Sequence, residues 1–193
     1  MIPTKLTKEN LSIATIWLFH VSGILGMLYG NSDWFISATP LNLLISFVLL
    51  LLNSKGHKWF FPMAFIAFLV GMISEILGVQ FGWIFGNYQY GEQLGYKVLG
   101  VPLMIGVNWA MLTIITGAIA HQFYENTFIR IIIGVALMLL LDLLIEPVAP
   151  SLDFWVFEGG EAPLQNYVGW GVIAFCLQFG YHFLKIKVES GFP

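Results

Sequence analysis

The sequence predicts an all-α fold: a polytopic membrane helix bundle of about six transmembrane helices, with both termini cytoplasmic. Three observations predict it. Of the 193 residues, 58% are hydrophobic and only 10% are charged, whereas an ordinary soluble domain carries about 25% charged residues. Such a chain cannot cover a water-facing surface. Its apolar residues fall in separate runs near the length that crosses a bilayer, and its basic residues fall in alternate loops.

The apolar runs lie at 12–30, 36–52, 60–80, 101–122, 128–148 and 166–184. Spanning takes about 20 apolar residues. The first run is too long for the core of a signal peptide and lacks a small-residue cleavage site after it, so it is expected to stay as a helix. Pro40 and Asn42 weaken the start of the second, which is expected to be short or tilted. No linker or internal repeat interrupts the chain, so residues 1–193 are expected to form a single integral membrane domain.

Loop charges set the orientation. Lys5, Lys8, Lys55, Lys58, Arg130, Lys185 and Lys187 fall on one side of a six-helix arrangement, and Lys97 is alone on the other with Asp33, Glu92, Asp153, Glu158 and Glu161. Basic residues stay cytoplasmic. An odd number of helices scrambles this segregation. The expected location is the cell (inner) membrane, crossed several times.

Composition also excludes. A net charge of −3 argues against nucleic acid as a partner. Cys176 is the single cysteine, which removes internal disulfides and cysteine-rich metal sites; within an apolar run it reads as a small buried hydrophobe. Small residues four apart, at Ser22, Gly26 and Gly30 and again at Gly78, Gly82 and Gly86, are expected to let helices approach closely.

The chemistry should lie in what a bilayer rejects. Glu75, Asp142 and Glu146 interrupt apolar runs, and an acid at mid-bilayer costs on the order of 3 kcal/mol, so such residues face the bundle interior. Asp142 and Glu146 are four apart and share a helical face. At about 1.5 Å per residue, Glu75 and Asp142 lie roughly 20 Å from the cytoplasmic end, and Asn108 and Trp109 about 10 Å below the outer end. These groups converge on one layer. Three readings follow: a buried network that only clamps helices together, a proton or ion pathway, or acid chemistry by carboxyls that desolvation keeps protonated.

Aromatic residues make up 16% of the chain. Trp34, Trp83 and Trp155 near the outer boundary and Trp59 near the inner one fit an interfacial belt. The belt does not account for Trp109, Trp170 or the segment FGWIFGNYQYGEQLGYKVLGVP at 81–102, with Tyr88, Tyr90 and Tyr96 among glycines. A tyrosine-rich lip over an acidic layer suits a long apolar ligand with a polar or reactive end. The histidines, His20, His57, His121 and His182, form no cluster of the kind a membrane di-iron enzyme needs. His20 reads first as a hydrogen-bonded structural residue and otherwise as a support for the acids. No aspartate-rich pair suits magnesium and diphosphate, and no intramembrane lysine suits a retinal Schiff base.

Two blocks carry a resemblance. The first runs from Glu75 through FGNYQYG, Leu94-Gly95 and GVP at 100–102 to Trp109; the second holds Asp142, Glu146-Pro147, Trp155, Pro163 and NYVGW at 166–170. Together they resemble the membrane family of carotenoid biosynthesis proteins, which includes the CruF-type carotenoid 1,2-hydratases and the haloarchaeal bisanhydrobacterioruberin hydratases. Phe157 stands where that pattern leads one to expect a second tryptophan. The resemblance implies a hydro-lyase that adds water to the terminal double bond of an acyclic carotenoid, with no metal or other cofactor. It implies Asp142 as proton donor with Glu75 and Glu146 as partners, and Tyr88, Tyr90, Asn108, Trp109, Trp155, Asn166 and Trp170 lining the end-group pocket. The partners are then a lipophilic carotenoid and the bilayer itself. Two rivals stay open: an end-group cyclase using the same protonation step, and a substrate-binding subunit of a membrane transporter, docked through Ser22, Gly26 and Gly30.

Overall fold

The computed structural model describes residues 7–54 and 57–186. Lys5, Lys55 and Lys187, used above for orientation, lie outside the described residues. Helix α1 (Lys8–Tyr29) begins at Thr7, whose hydroxyl accepts from Asn10 N–H at 3.2 Å. The second apolar run is broken in two. Helix α2 (Ser32–Ser37) is capped by Asn31, and helix α3 (Thr39–Leu52) restarts with Pro40 in its first turn, where a missing N–H costs nothing. Helices α4 (Phe60–Phe81), α5 (Leu103–Phe123), α6 (Thr127–Ile145) and α7 (Leu164–Phe183) follow.

By length and composition, five stretches can cross a membrane: α1, α2–α3 together, α4, α5 and α6. Helix α7 has 20 residues but carries Gln165, Asn166, Gln178 and His182, and it is not among the five. The protein is a multi-pass membrane bundle.

The fold is not purely helical. Strand β1 (Tyr88–Tyr90) pairs antiparallel with β4 (Trp155–Phe157), and β2 (Lys97–Val98) pairs with β3 (Val101–Pro102). The segment 81–102, expected to be more than a tether, thus holds one short hairpin and one strand that pairs outside it with β4. Helix α6 stops at Ile145, short of the expected 148, because Pro147 cannot continue it. Glu146 is therefore the cap of α6, half-buried at its end, and not an intrahelical acid as expected.

The bundle is held by α4 against α5, α5 against α6 and α6 against α7, with α3 alongside α5 and α1 packed on α2 and α3. A buried amide clamps its centre: Gln178 of α7 donates to Thr113 O at 3.1 Å and Thr116 Oγ1 at 2.8 Å, both on α5. The first ladder brings helices together at Gly26, as expected, and the second works differently. Gly26 makes room for the Phe35 ring of α2, and Gly78 for the Tyr88 and Phe85 rings, while Gly82 ends α4 in the left-handed conformation at φ 67°. Close helix contact is made also at Gly71, where a Cβ would stand 2.5 Å from the Trp109 ring. Cys176 is exposed, not buried; the bundle exterior is itself apolar, so a small hydrophobe gains nothing by pointing inward.

Candidate functional site

The ends of α4, α5, α6 and α7 on the loop side enclose a cavity of about 440 Å³, within the range of small-molecule sites. The two short strands β1 and β4 roof it. Their register sets Tyr88 opposite Phe157 and Tyr90 opposite Trp155, joining loops about seventy residues apart in sequence.

Glu75, 3% exposed on α4, is surrounded by donors. Tyr88 Oη donates to its Oε2 at 2.5 Å, Tyr90 Oη to the same oxygen at 2.7 Å, and Trp109 Nε1 to Oε1 at 3.0 Å. Burial, and then the Glu75 charge beside them, pushes both phenols well above their ordinary range, so they remain donors. Tyr90 and Tyr88 reach Glu75 because left-handed residues at Gly82, Ile84 and Gly86 turn the chain back at the end of α4. That turn also buries Phe85 against Trp109 and Tyr88.

On the opposite wall stand Asp142, 2% exposed, and Glu146 one turn later. Asn166 of α7 joins them: its amide donates to Asp142 Oδ2 at 2.9 Å and reaches Glu146 Oε1 at 3.5 Å. Trp155 Nε1 lies 3.2 Å from each Glu146 oxygen. No donor among the described residues reaches Asp142 Oδ1. Between the two walls Trp109 and Trp170 stack, ring centroids 4.1 Å apart and planes at 24°.

All ten residues singled out in the sequence line this cavity: Glu75, Tyr88, Tyr90, Asn108, Trp109, Asp142, Glu146, Trp155, Asn166 and Trp170. The two blocks read from the sequence are the two walls. His20 lines it as well, with Nδ1 against Ile16 O at 2.9 Å. Sequence reasoning did not single out Phe85, Phe154, Thr39 or Leu43, which also line it, and it quoted Leu94 only as part of the first block. Phe85 lies inside the glycine-rich segment and was marked by it; Phe154, Thr39 and Leu43 carry no local signal. Phe157, the departure from the family pattern, packs its ring 5.1 Å from Tyr88. Among the described residues no three His, Cys, Asp or Glu side chains converge as metal ligands.

Residues 35–188 match the model of a family described as carotenoid biosynthesis proteins. The chain belongs to that family. Within it, the chain is 33% identical over 119 residues to the bisanhydrobacterioruberin hydratase of Haloarcula japonica, covering 55% of this chain and 41% of that protein. The chain thus spans less than half the length of the hydratase it matches. No solved structure matches the chain. The cavity of this family member lies wholly within the matched residues except for His20.

Proposed function

We propose that the protein adds water to the terminal carbon–carbon double bond of an acyclic carotenoid end group, as a hydro-lyase that needs no cofactor. The observation that carries this reading is the opposition, across one largely apolar cavity, of the neighbouring carboxyls Asp142 and Glu146 and a stacked indole pair backed by a third carboxyl, Glu75. The relatedness to the Haloarcula japonica hydratase supports the substrate class.

An isolated alkene reacts only once an acid protonates it. Asp142 is assigned as that acid: it is buried, Oδ1 accepts from no donor, and the Glu146 carboxyl is a hydrogen-bonding neighbour with which it can share a proton. Protonation of the inner, less substituted alkene carbon leaves a tertiary cation on the outer, dimethyl-bearing carbon. The Trp109 and Trp170 faces lower its energy by about 1–2 kcal/mol each. In this reading Glu75 stands behind the indoles as the opposite charge, with three donors directed at its carboxyl. Water then adds to the cation and gives up a proton to Glu146. Glu146 is one turn from Asp142 and bonded to the same amide, so the proton returns to Asp142 and the cycle closes. No electrons are exchanged.

A polyene of this class is comparable in length to the roughly 30 Å bilayer core. Exposed lining residues His20 and Leu141 mark a lateral rim through which it extends into lipid. In the same reading residues 1–193 are one membrane domain and α7 is a sixth span. Both termini are then cytoplasmic, and the sheet-forming loops are on the outer face of the cell membrane. Lys8, Lys58, Arg130 and Lys185 on one side, against Lys97 on the other, support that orientation.

The test is expression in a lycopene-producing host followed by mass spectrometry of the pigments. One added water per reacted end supports hydration. A rearranged product of unchanged mass favours the cyclase, and unaltered pigment with a co-purifying ATPase favours the transporter subunit.

A further inference from the structure

A second, smaller cavity of about 120 Å³ lies on the loop face of the protein. Gln89, Gly91, Asp153 and Val156 line it, and so do Tyr90 and Trp155, which also line the large cavity. These two residues therefore stand at the partition between the two spaces. They form the last pair of the β1–β4 sheet, with centroids 6.1 Å apart and planes at 71°. The geometry points to the small cavity as a water inlet, from which water reaches the cation through the Tyr90–Trp155 partition. This inference rests on the hydration reading and deepens it.

The lining suits water. It includes the Gln89 amide and the exposed Asp153 carboxyl, whose Oδ2 accepts from Glu92 N–H at 2.8 Å. The volume holds several waters. The large cavity, in contrast, is walled mainly by Trp, Phe, Leu and Ile side chains. An open aqueous path there solvates Asp142 and favours its ionised form, which removes the acid. Water must arrive from one side, beside the base.

The partition is placed for that. Trp155 is bonded to Glu146, the residue assigned to take the proton of the adding water. Tyr90 is bonded to Glu75 across the cavity. Lys97 Nζ donates to Tyr90 O at 3.0 Å and pairs with Glu92 at 2.8 Å, which pins the strand end at the inlet mouth. Water crossing here adds to the cation on the Glu146 side. Its oxygen forms the new carbon–oxygen bond, and its proton passes to Glu146.

Filling the inlet separates protonation from capture. Gln89 and Val156 face each other across the sheet, line the inlet and do not line the large cavity. Gln89→Trp and Val156→Trp are assayed separately with purified protein and an acyclic carotenoid in heavy water. A cation that loses its proton before water arrives returns to alkene carrying deuterium. The ratio of hydrated to deuterium-exchanged carotenoid is expected to fall about tenfold in each variant. Folded variants that keep the wild-type ratio overturn the inlet. So does a parallel loss of exchange and hydration, because the pocket then acts on protonation. The variants lie on different strands, so misfolding of one leaves the other to decide. Wild-type protein that neither hydrates nor exchanges overturns the hydration reading itself, an outcome visible without any variant.

Discussion

Trp109 and Trp170 stack face to face at 4.1 Å although they come from α5 and α7, and the indole N–H of Trp109 is spent on Glu75 at 3.0 Å. One residue thus ties the aromatic wall to the carboxyl behind it. Trp109→Phe keeps a ring in the stack and removes the hydrogen bond. A bond to a charged acceptor is worth about 1.5–3 kcal/mol, so turnover should fall roughly ten- to a hundredfold with little change in folding. Trp170→Leu keeps that bond and removes the ring face, and should lower turnover by about tenfold. Turnover of each variant, measured beside its thermal midpoint in detergent, checks both.

The carboxyls should separate by step. Asp142→Asn keeps the bond to Asn166 in shape but delivers no proton, so it should abolish both hydration and deuterium exchange into recovered carotenoid. Glu146→Gln should keep exchange and lose most hydration, because only the step that takes the water's proton needs it. Glu75→Gln should slow both, through loss of charge facing the cation. If all three folded variants retain near wild-type turnover, the acids are structural.

Much of this site was legible in the sequence because a bilayer makes polar residues conspicuous. Glu75 and Asp142 interrupt apolar runs, and burial there demands partners. Helical rise alone put them in the same layer as Trp109. The pairing of Tyr90 with Trp155 was not legible, because strands of three residues carry too short an alternation to announce themselves. The placement of Glu146 was misread for a local reason: Pro147 ends α6 at a point where hydropathy alone continues it. The second glycine ladder was misread because spacing of four does not say whether a helix or a loop aromatic fills the groove. At Gly78 it is Tyr88.

The two phenols report on Glu75 directly. Burial raises Tyr88 and Tyr90 first, and the Glu75 charge raises both further. Removing that charge in Glu75→Gln lowers the pKa of each, while burial still holds them above an ordinary phenol near 10. An ultraviolet difference titration of wild type against Glu75→Gln should therefore show extra tyrosinate in the variant on the alkaline side. Identical curves would mean that Glu75 carries no charge in the folded protein.

Orientation can be read with reporter fusions. Basic residues near Lys58, Tyr124 and Lys185 should place those loops in the cytoplasm, and fusions at Gly91 and Glu158 should report the outside. Cytoplasmic signals at Glu158 would remove α7 as a sixth span. The polar residues that keep α7 out of the apolar set make this the decisive position: Asn166 and Gln178 are both buried inward, where they cost the bilayer nothing.

Isotope labelling separates hydration from its chemical neighbours. Water is the only source of oxygen in the proposed step, so product formed in heavy-oxygen water should gain one labelled hydroxyl per reacted end. The proton comes from a carboxyl that equilibrates with solvent. Product formed in heavy water should therefore hold one non-exchangeable deuterium on the carbon adjacent to that hydroxyl. An oxygenase takes its label from oxygen gas instead. A cyclase starts from the same cation but closes it on a neighbouring double bond, so its product keeps the deuterium and gains no oxygen. The deuterium thus tests Asp142 as acid, and the oxygen tests what captures the cation. A product with deuterium and no labelled oxygen would keep the first assignment and overturn the second.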